Sequence, residues 1–150
     1  MIMRNVNRDI IKRNVDEWTA QSPQYNKEQI FQQVCNELDS GSSFALQYEN
    51  FIMVTKPINN WVGEVHIFSE NKKSSVIAFK SITQYIFENT PAIKLYGKFS
   101  NKKILSLILK SNWKHEGTLE KTFVCMNGEL KDLYIAGVSK EDFIKCLILD

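Results

Sequence analysis

The chain is poor in the residues that punctuate, staple or anchor a protein. It has 3 prolines and 6 glycines in 150 residues, too few for a flexible linker that would divide it. No low-complexity tract and no internal repeat is visible, so the length is read as one domain with room for a core. Of the 3 cysteines, Cys35, Cys125 and Cys146, none forms a Cys-x-x-Cys pair. With only 2 histidines to assist them, a zinc site is not expected. An odd cysteine count points to reduced thiols in a cytoplasm-like compartment. Met1 to Val6 holds Arg4 and no long apolar stretch, so it does not read as a signal peptide. No run of about eighteen apolar residues is present, and no membrane span is expected. A net charge of +2 is too small to imply a polyanion partner by itself, and no basic-aromatic stripe suggests nucleic acid. The pairs Lys72-Lys73 and Lys102-Lys103 read first as solvated surface.

What is present is an ordinary globular composition, 43% hydrophobic and 24% charged, with clear periodicities. Ile2 to Val6 suits a short strand. Asn7 or Asp9 then opens a helix through Trp18, with Ile10, Ile11 and Val15 at helical spacing. Past Pro23, Asn26 and Gln29 form a capping-box signature ahead of Ile30, Phe31, Val34, Cys35 and Leu38, and Gly41 is the stop. Phe44–Tyr48 and Phe51–Thr55 read as a hairpin. Trp61–Phe68 is a third strand, with Val62, Glu64, His66 and Phe68 on one face and Trp61, Gly63, Val65 and Ile67 on the other. Ser74 or Ser75 caps a helix to about Glu88, Ala92–Phe99 is a strand, and Lys102–Ser111 is a helix apolar enough to be buried on more than one side. Thr118–Cys125 and Leu130–Ala136 pair through Asn127-Gly128, and Lys140–Leu149 closes the chain as a helix or a packed tail. The order β-α-α-β-β-β-α-β-α-β-β predicts an α/β layer structure with a mixed, mostly antiparallel sheet flanked by helices.

One stretch is more specific than these periodicities. A polar start at Asn101, an apolar helix, Lys110, Asn112, Trp113 and then Glu116-Gly117 make an ordered set, followed by Asp132 and Tyr134 on the last strand. Asn112 is suited to a left-handed backbone position. This set, over roughly residues 92–138, resembles the C-terminal half of the GCN5-related N-acetyltransferase (GNAT) family. Asn112 takes the place of the usual Gly and Trp113 that of the usual Phe.

The resemblance implies acetyl-CoA as cofactor and a primary amine as acceptor: a protein N-terminus, a lysine or a small amine. It also makes a homodimer a natural expectation. It assigns cofactor contacts to Ile67 and Phe68 on the third strand, to Lys72, Lys73, Ser74 and Ser75, and to Asn101. The family's phosphate loop is rich in glycine because successive backbone N–H groups must approach the pyrophosphate. Here Ser69-Glu70-Asn71-Lys72-Lys73-Ser74-Ser75 has none, and Glu70 is expected to repel phosphate. The acidic Tyr that many members carry on the later helix is also missing, and Ser106 is the hydroxyl well inside it.

Glu64 and His66 are the candidate catalytic pair, Glu64 as base and His66 as its partner or water relay. A second reading places them at the polar edge of a packed face. Tyr96 and Tyr134 are further cleft candidates, His115 is read as a surface residue, and Trp18, Trp61 and Trp113 as core anchors. At the level of the whole chain, the alternative is a catalytically silent member that acts by protein binding, such as a phage head-assembly or virion accessory protein.

Overall fold

Asn7 begins the ordered architecture by turning its side chain onto the backbone N–H of Asp9, at 3.0 Å. Helix α1, Arg8–Arg13, follows and buries Ile10 and Ile11. The computed structural model describes residues 1–15, 26–70, 75–125 and 128–149. The helix predicted to reach Trp18 closes at Asn14, whose side-chain amide donates to the Ile10 carbonyl at 2.7 Å. Trp18 and Pro23 lie outside the described residues. The predicted first strand is only a bridge between Met3 and Gln47. Arg4 and Asn5 are exposed, leaving little for a strand to bury, and the Gln47 side chain accepts from the Asn7 N–H, steering the chain into the α1 cap.

Helix α2, Lys27–Ser40, opens with the expected reciprocal capping box of Asn26 and Gln29 and ends at Gly41, φ 78°. The hairpin β1, Phe44–Tyr48, and β2, Phe51–Pro57, leads to β3, Val62–Ser69. Helix α3, Ser75–Asn89, strand β4, Lys94–Phe99, and helix α4, Lys102–Lys110, come next. Strands β5, Lys114–Val124, and β6, Leu130–Ser139, precede the closing helix α5, Lys140–Leu149. The six strands form one sheet in the order β1-β2-β3-β4-β6-β5, and only β3 and β4 run parallel to one another. This is the α/β mixed sheet flanked by helices that the pattern predicted.

Strand β2 is buried from Phe51 to Thr55 because helices cover both of its faces. Ile52, Val54 and Phe68 pack with Ile10, Ile11 and Val34 of α1 and α2. Phe51, Met53 and Val65 pack with Phe79, Ile82 and Ile86 of α3 on the opposite side, in a cluster that also holds Ile108 of α4. Trp113 anchors that cluster, edge-on to Phe79 at 4.7 Å and donating its indole N–H to Thr83 Oγ1 at 3.3 Å. Asn112 takes the left-handed backbone expected of it, φ 70°. Trp61, read as a core anchor, is instead 58% exposed. The Asn59 side chain caps the backbone N–H groups of both Trp61 and Val62, so the strand starts one residue late and the indole stays outside.

Helix α4 also departs from expectation. Only Ile108 is fully buried, and Leu109 is exposed. The helix does not sit flush on the sheet. Its Ile104 and Leu107 side face a cavity, and its Leu105 and Leu109 side face a shallow surface depression beside Tyr134.

Candidate functional site

The parallel strands make a fork. β3 pairs with β4 only over Val62–Glu64 and Lys94–Tyr96. Meanwhile β2 follows β3 as far as Ser69, and β6 follows β4 as far as Phe99. At the crotch, a Cβ on Gly97 would lie 2.4 Å from the Phe99 ring and 3.1 Å from the Val65 carbonyl. Glycine therefore lets the Phe99 ring and the β3 backbone share this point.

Behind the fork lies a cavity of about 420 Å³. Ile67 and Ser69 line it from β3, Ser75 and Val76 from the start of α3, and Arg13 and Asn14 from the end of α1. Helix α4 contributes Asn101, Lys103, Ile104, Ser106, Leu107 and Lys110. Apolar walls thus alternate with hydroxyls and three cations, Arg13, Lys103 and Lys110. Asn101 also caps α4, its side chain accepting from the Lys103 N–H at 2.8 Å. Glu70, expected to repel an anion here, has its charge met by the Arg13 guanidinium in a short ion pair. The hydrogen bond from Arg13 holds the Glu70 carboxyl below its ordinary range, against a smaller opposing effect of burial.

On the other face of the sheet, toward α1 and α2, stand Glu64 and His66, each about one-fifth exposed. Tyr96 joins them across the parallel register and donates its hydroxyl to Glu64 Oε2 at 2.9 Å. Burial and the Glu64 carboxylate push the Tyr96 phenol up to about 12, so it remains a donor. His66 Nε2 lies 3.7 Å from Glu64 Oε1, beyond a hydrogen bond. Burial lowers the His66 pKa to about 4. Glu64 and Glu37 pull it back up, while Lys56 and Lys98 push it further down. The imidazole is neutral at pH 7.

The sequence candidates therefore separate onto two sides of the fork. Glu64, His66 and Tyr96 gather on the α1–α2 face. Ile67, Ser75 and Asn101 meet at the cavity. The Phe68 side chain packs into the core beneath α1 and α2, so any contact of Phe68 with a ligand in the fork falls to its backbone. Lys72, Lys73 and Ser74 lie outside the described residues, as does Asn127. Tyr134 stands apart from the cavity, edge-on to His115 at 6.1 Å, and His115 is exposed as expected. Sequence reasoning missed Arg13, Lys103 and Lys110 as cavity residues. It also missed the bond from Tyr96 to Glu64. Among the described residues no three His, Cys, Asp or Glu side chains converge as a metal site would need, and no helix is long and apolar enough to cross a membrane.

The sequence matches no family model and no curated protein. Solved structures do match in shape. The spermidine N-acetyltransferase of Vibrio cholerae, solved in complex with CoA and spermine, superposes with a TM-score of 0.74 at 13% identity, over 96% of this chain and 97% of that one. A ribosomal-protein-alanine N-acetyltransferase from Brucella melitensis gives 0.64 at 12% identity, over 93% and 99%. A putative phosphinothricin N-acetyltransferase gives 0.61 at 18%, over 93% and 97%. Likeness across nearly the full length of each chain, at such low identity, establishes architecture: this chain has the fold of the GCN5-related N-acetyltransferases.

Proposed function

We propose that the protein is an N-acetyltransferase that binds acetyl-CoA in the cavity behind the β3–β4 fork and acetylates a primary amine reaching the fork from the α1–α2 face. The observation that carries this reading is the fork itself, with an apolar and cationic cavity on one side and the Glu64–Tyr96 pair at its crotch on the other. One of the structures named above was solved with CoA bound, which supports CoA as a ligand of this fold.

The cavity's chemistry fits the cofactor without a glycine loop. Ile67, Ile104 and Leu107 offer apolar contact to a pantetheine arm, while Lys103, Lys110 and the Ser69 and Ser75 hydroxyls suit phosphate, Arg13 being spent on Glu70. Acetyl-CoA supplies the activated thioester. The chain's own groups do the rest. Glu64 receives the proton that the amine must lose as its nitrogen bonds to the acetyl carbon and the carbon–sulfur bond breaks. Tyr96 holds the Glu64 carboxylate in one orientation. His66 is an uncharged polar wall, since a pKa of about 4 makes it a poor base at neutral pH. The departing thiolate takes its proton from solvent, because Ser106, the hydroxyl of α4 at the cavity, is a weak acid. Three free cysteines suit work in a reducing cytoplasm.

The reading is tested by incubating the protein with acetyl-CoA and a panel of primary amines, with free thiol and product mass as readouts. Stoichiometric thiol and N-acetylated product are expected. A folded protein that acetylates nothing, peptides and polyamines included, would favour the binding-only alternative. No feature of the fold or of the comparisons supports a phage assembly role over catalysis.

A further inference from the structure

Resting on that reading, we infer that the acceptor is zwitterionic: an amine that also carries a carboxylate or similar anion, recognised by Lys98. Three residues carry the argument, Glu64 on one arm of the fork and Tyr96 and Lys98 on the other. Strand alternation puts Lys98 on the same face as Tyr96, one step further toward the open end of the fork. Lys98 is exposed, and its charge acts on His66 of β3.

Among the described residues, the other charges beside the crotch on this face are paired. Lys56 is bonded to Glu37 at 3.3 Å. Lys94 is bonded to Glu116 at 2.5 Å, the Glu116 carboxylate filling the space that a side chain at position 137 would occupy. His66 is neutral, and so is the Tyr96 phenol. That leaves Glu64, whose hydrogen-bond donor is the uncharged Tyr96, and Lys98, which has no ion-pair partner among the described residues. One unbalanced anion and one unbalanced cation stand on opposite arms of the fork, separated by neutral groups. An acceptor that places its amine at Glu64 meets Lys98 with its next few atoms. A carboxylate there gains a charge-assisted hydrogen bond, whereas a second ammonium is repelled. A polyamine is therefore disfavoured, in contrast to the spermine held by the Vibrio structure.

The experiment compares L-amino acids, their carboxamides, and putrescine and spermidine as acceptors, on the full chain and on Lys98→Met and Lys98→Glu. Acetyl-CoA binding is measured separately by calorimetry. The wild type is expected to favour at least one amino acid over its own carboxamide by about tenfold or more in kcat/KM, chiefly through KM. Lys98→Met should bring that ratio close to one. Lys98→Glu should invert it and raise polyamine turnover. Carboxamides or polyamines preferred by the wild type, or a ratio that ignores both substitutions, would overturn the inference while leaving the acetyltransferase reading intact. Acetyl-CoA binding with no turnover of any amino acid would also overturn it. Absence of acetyl-CoA binding by the folded protein would remove both.

Discussion

In the proposed mechanism, Glu64 is the residue on which the chemistry turns. Its carboxylate is held by Tyr96 from the other arm of the fork. Glu64→Gln keeps the shape and the hydrogen bond from Tyr96 but cannot take a proton, so turnover at neutral pH should fall by roughly 10²–10⁴ without loss of fold. Equal turnover in a folded variant would remove Glu64 from the mechanism. His66 makes a prediction of another kind. Burial lowers its pKa from 6.5 to about 4, so below pH 6.5 the unfolded chain takes up a proton that the folded chain refuses. Its contribution is complete above pH 6.5 and is lost as the pH falls toward 4. Between pH 6.5 and 5 the loss is about 1–2 kcal/mol, the linkage slope rising toward about 1.4 kcal/mol per pH unit as the unfolded imidazole becomes fully protonated. Urea midpoints across this range should fall less steeply in His66→Gln than in the wild type, and parallel curves would refute the assignment. The facing of Glu64 and His66 was legible from period-2 alternation alone. The bond to Tyr96 was not, because it joins residues 32 apart through a parallel register that no local pattern encodes. The same holds for Arg13 and Glu70, 57 apart.

The elements were legible where their ends carry chemistry. Asn26 with Gln29 and Asn101 marked helix boundaries that side-chain-to-backbone bonds enforce, and Gly41 marked one that its left-handed backbone enforces. Reading failed where a tertiary contact decided the outcome. Ile2–Val6 has strand-like residues, but the Gln47 side chain diverts it into the α1 cap. The apolar run of α4 suggested burial on several sides, and the structure turns part of that surface toward the cavity instead. The same confusion between core and binding wall recurs wherever a site is lined by aliphatic side chains. At this scale Gly97 is the decisive residue. Gly97→Ala would push against the Phe99 ring and the Val65 carbonyl at the crotch of the fork, and a stability loss of about 1–3 kcal/mol is expected. An unchanged urea midpoint would show that the crotch has slack.

For the whole molecule, the proposed function rests on the fork and on a set of cations in place of a glycine loop. The segment from Ser69 to Ser75 contains no glycine, yet the cavity beside it is bordered by Arg13, Lys103 and Lys110. In the proposed function, the α4 cations Lys103 and Lys110 take over the part that backbone N–H groups play in a glycine loop. The element order was readable in advance because helices and strands alternate with clear periods. The cation set was not, since Lys103 and Lys110 look like ordinary solvent-facing residues until the fork turns one side of α4 toward the cavity. Calorimetric titration of the full chain with acetyl-CoA at moderate salt tests this account most directly. The account predicts binding in roughly the micromolar range, weakened at least about tenfold by Lys103→Glu/Lys110→Glu. No heat at millimolar acetyl-CoA from a folded protein would contradict it.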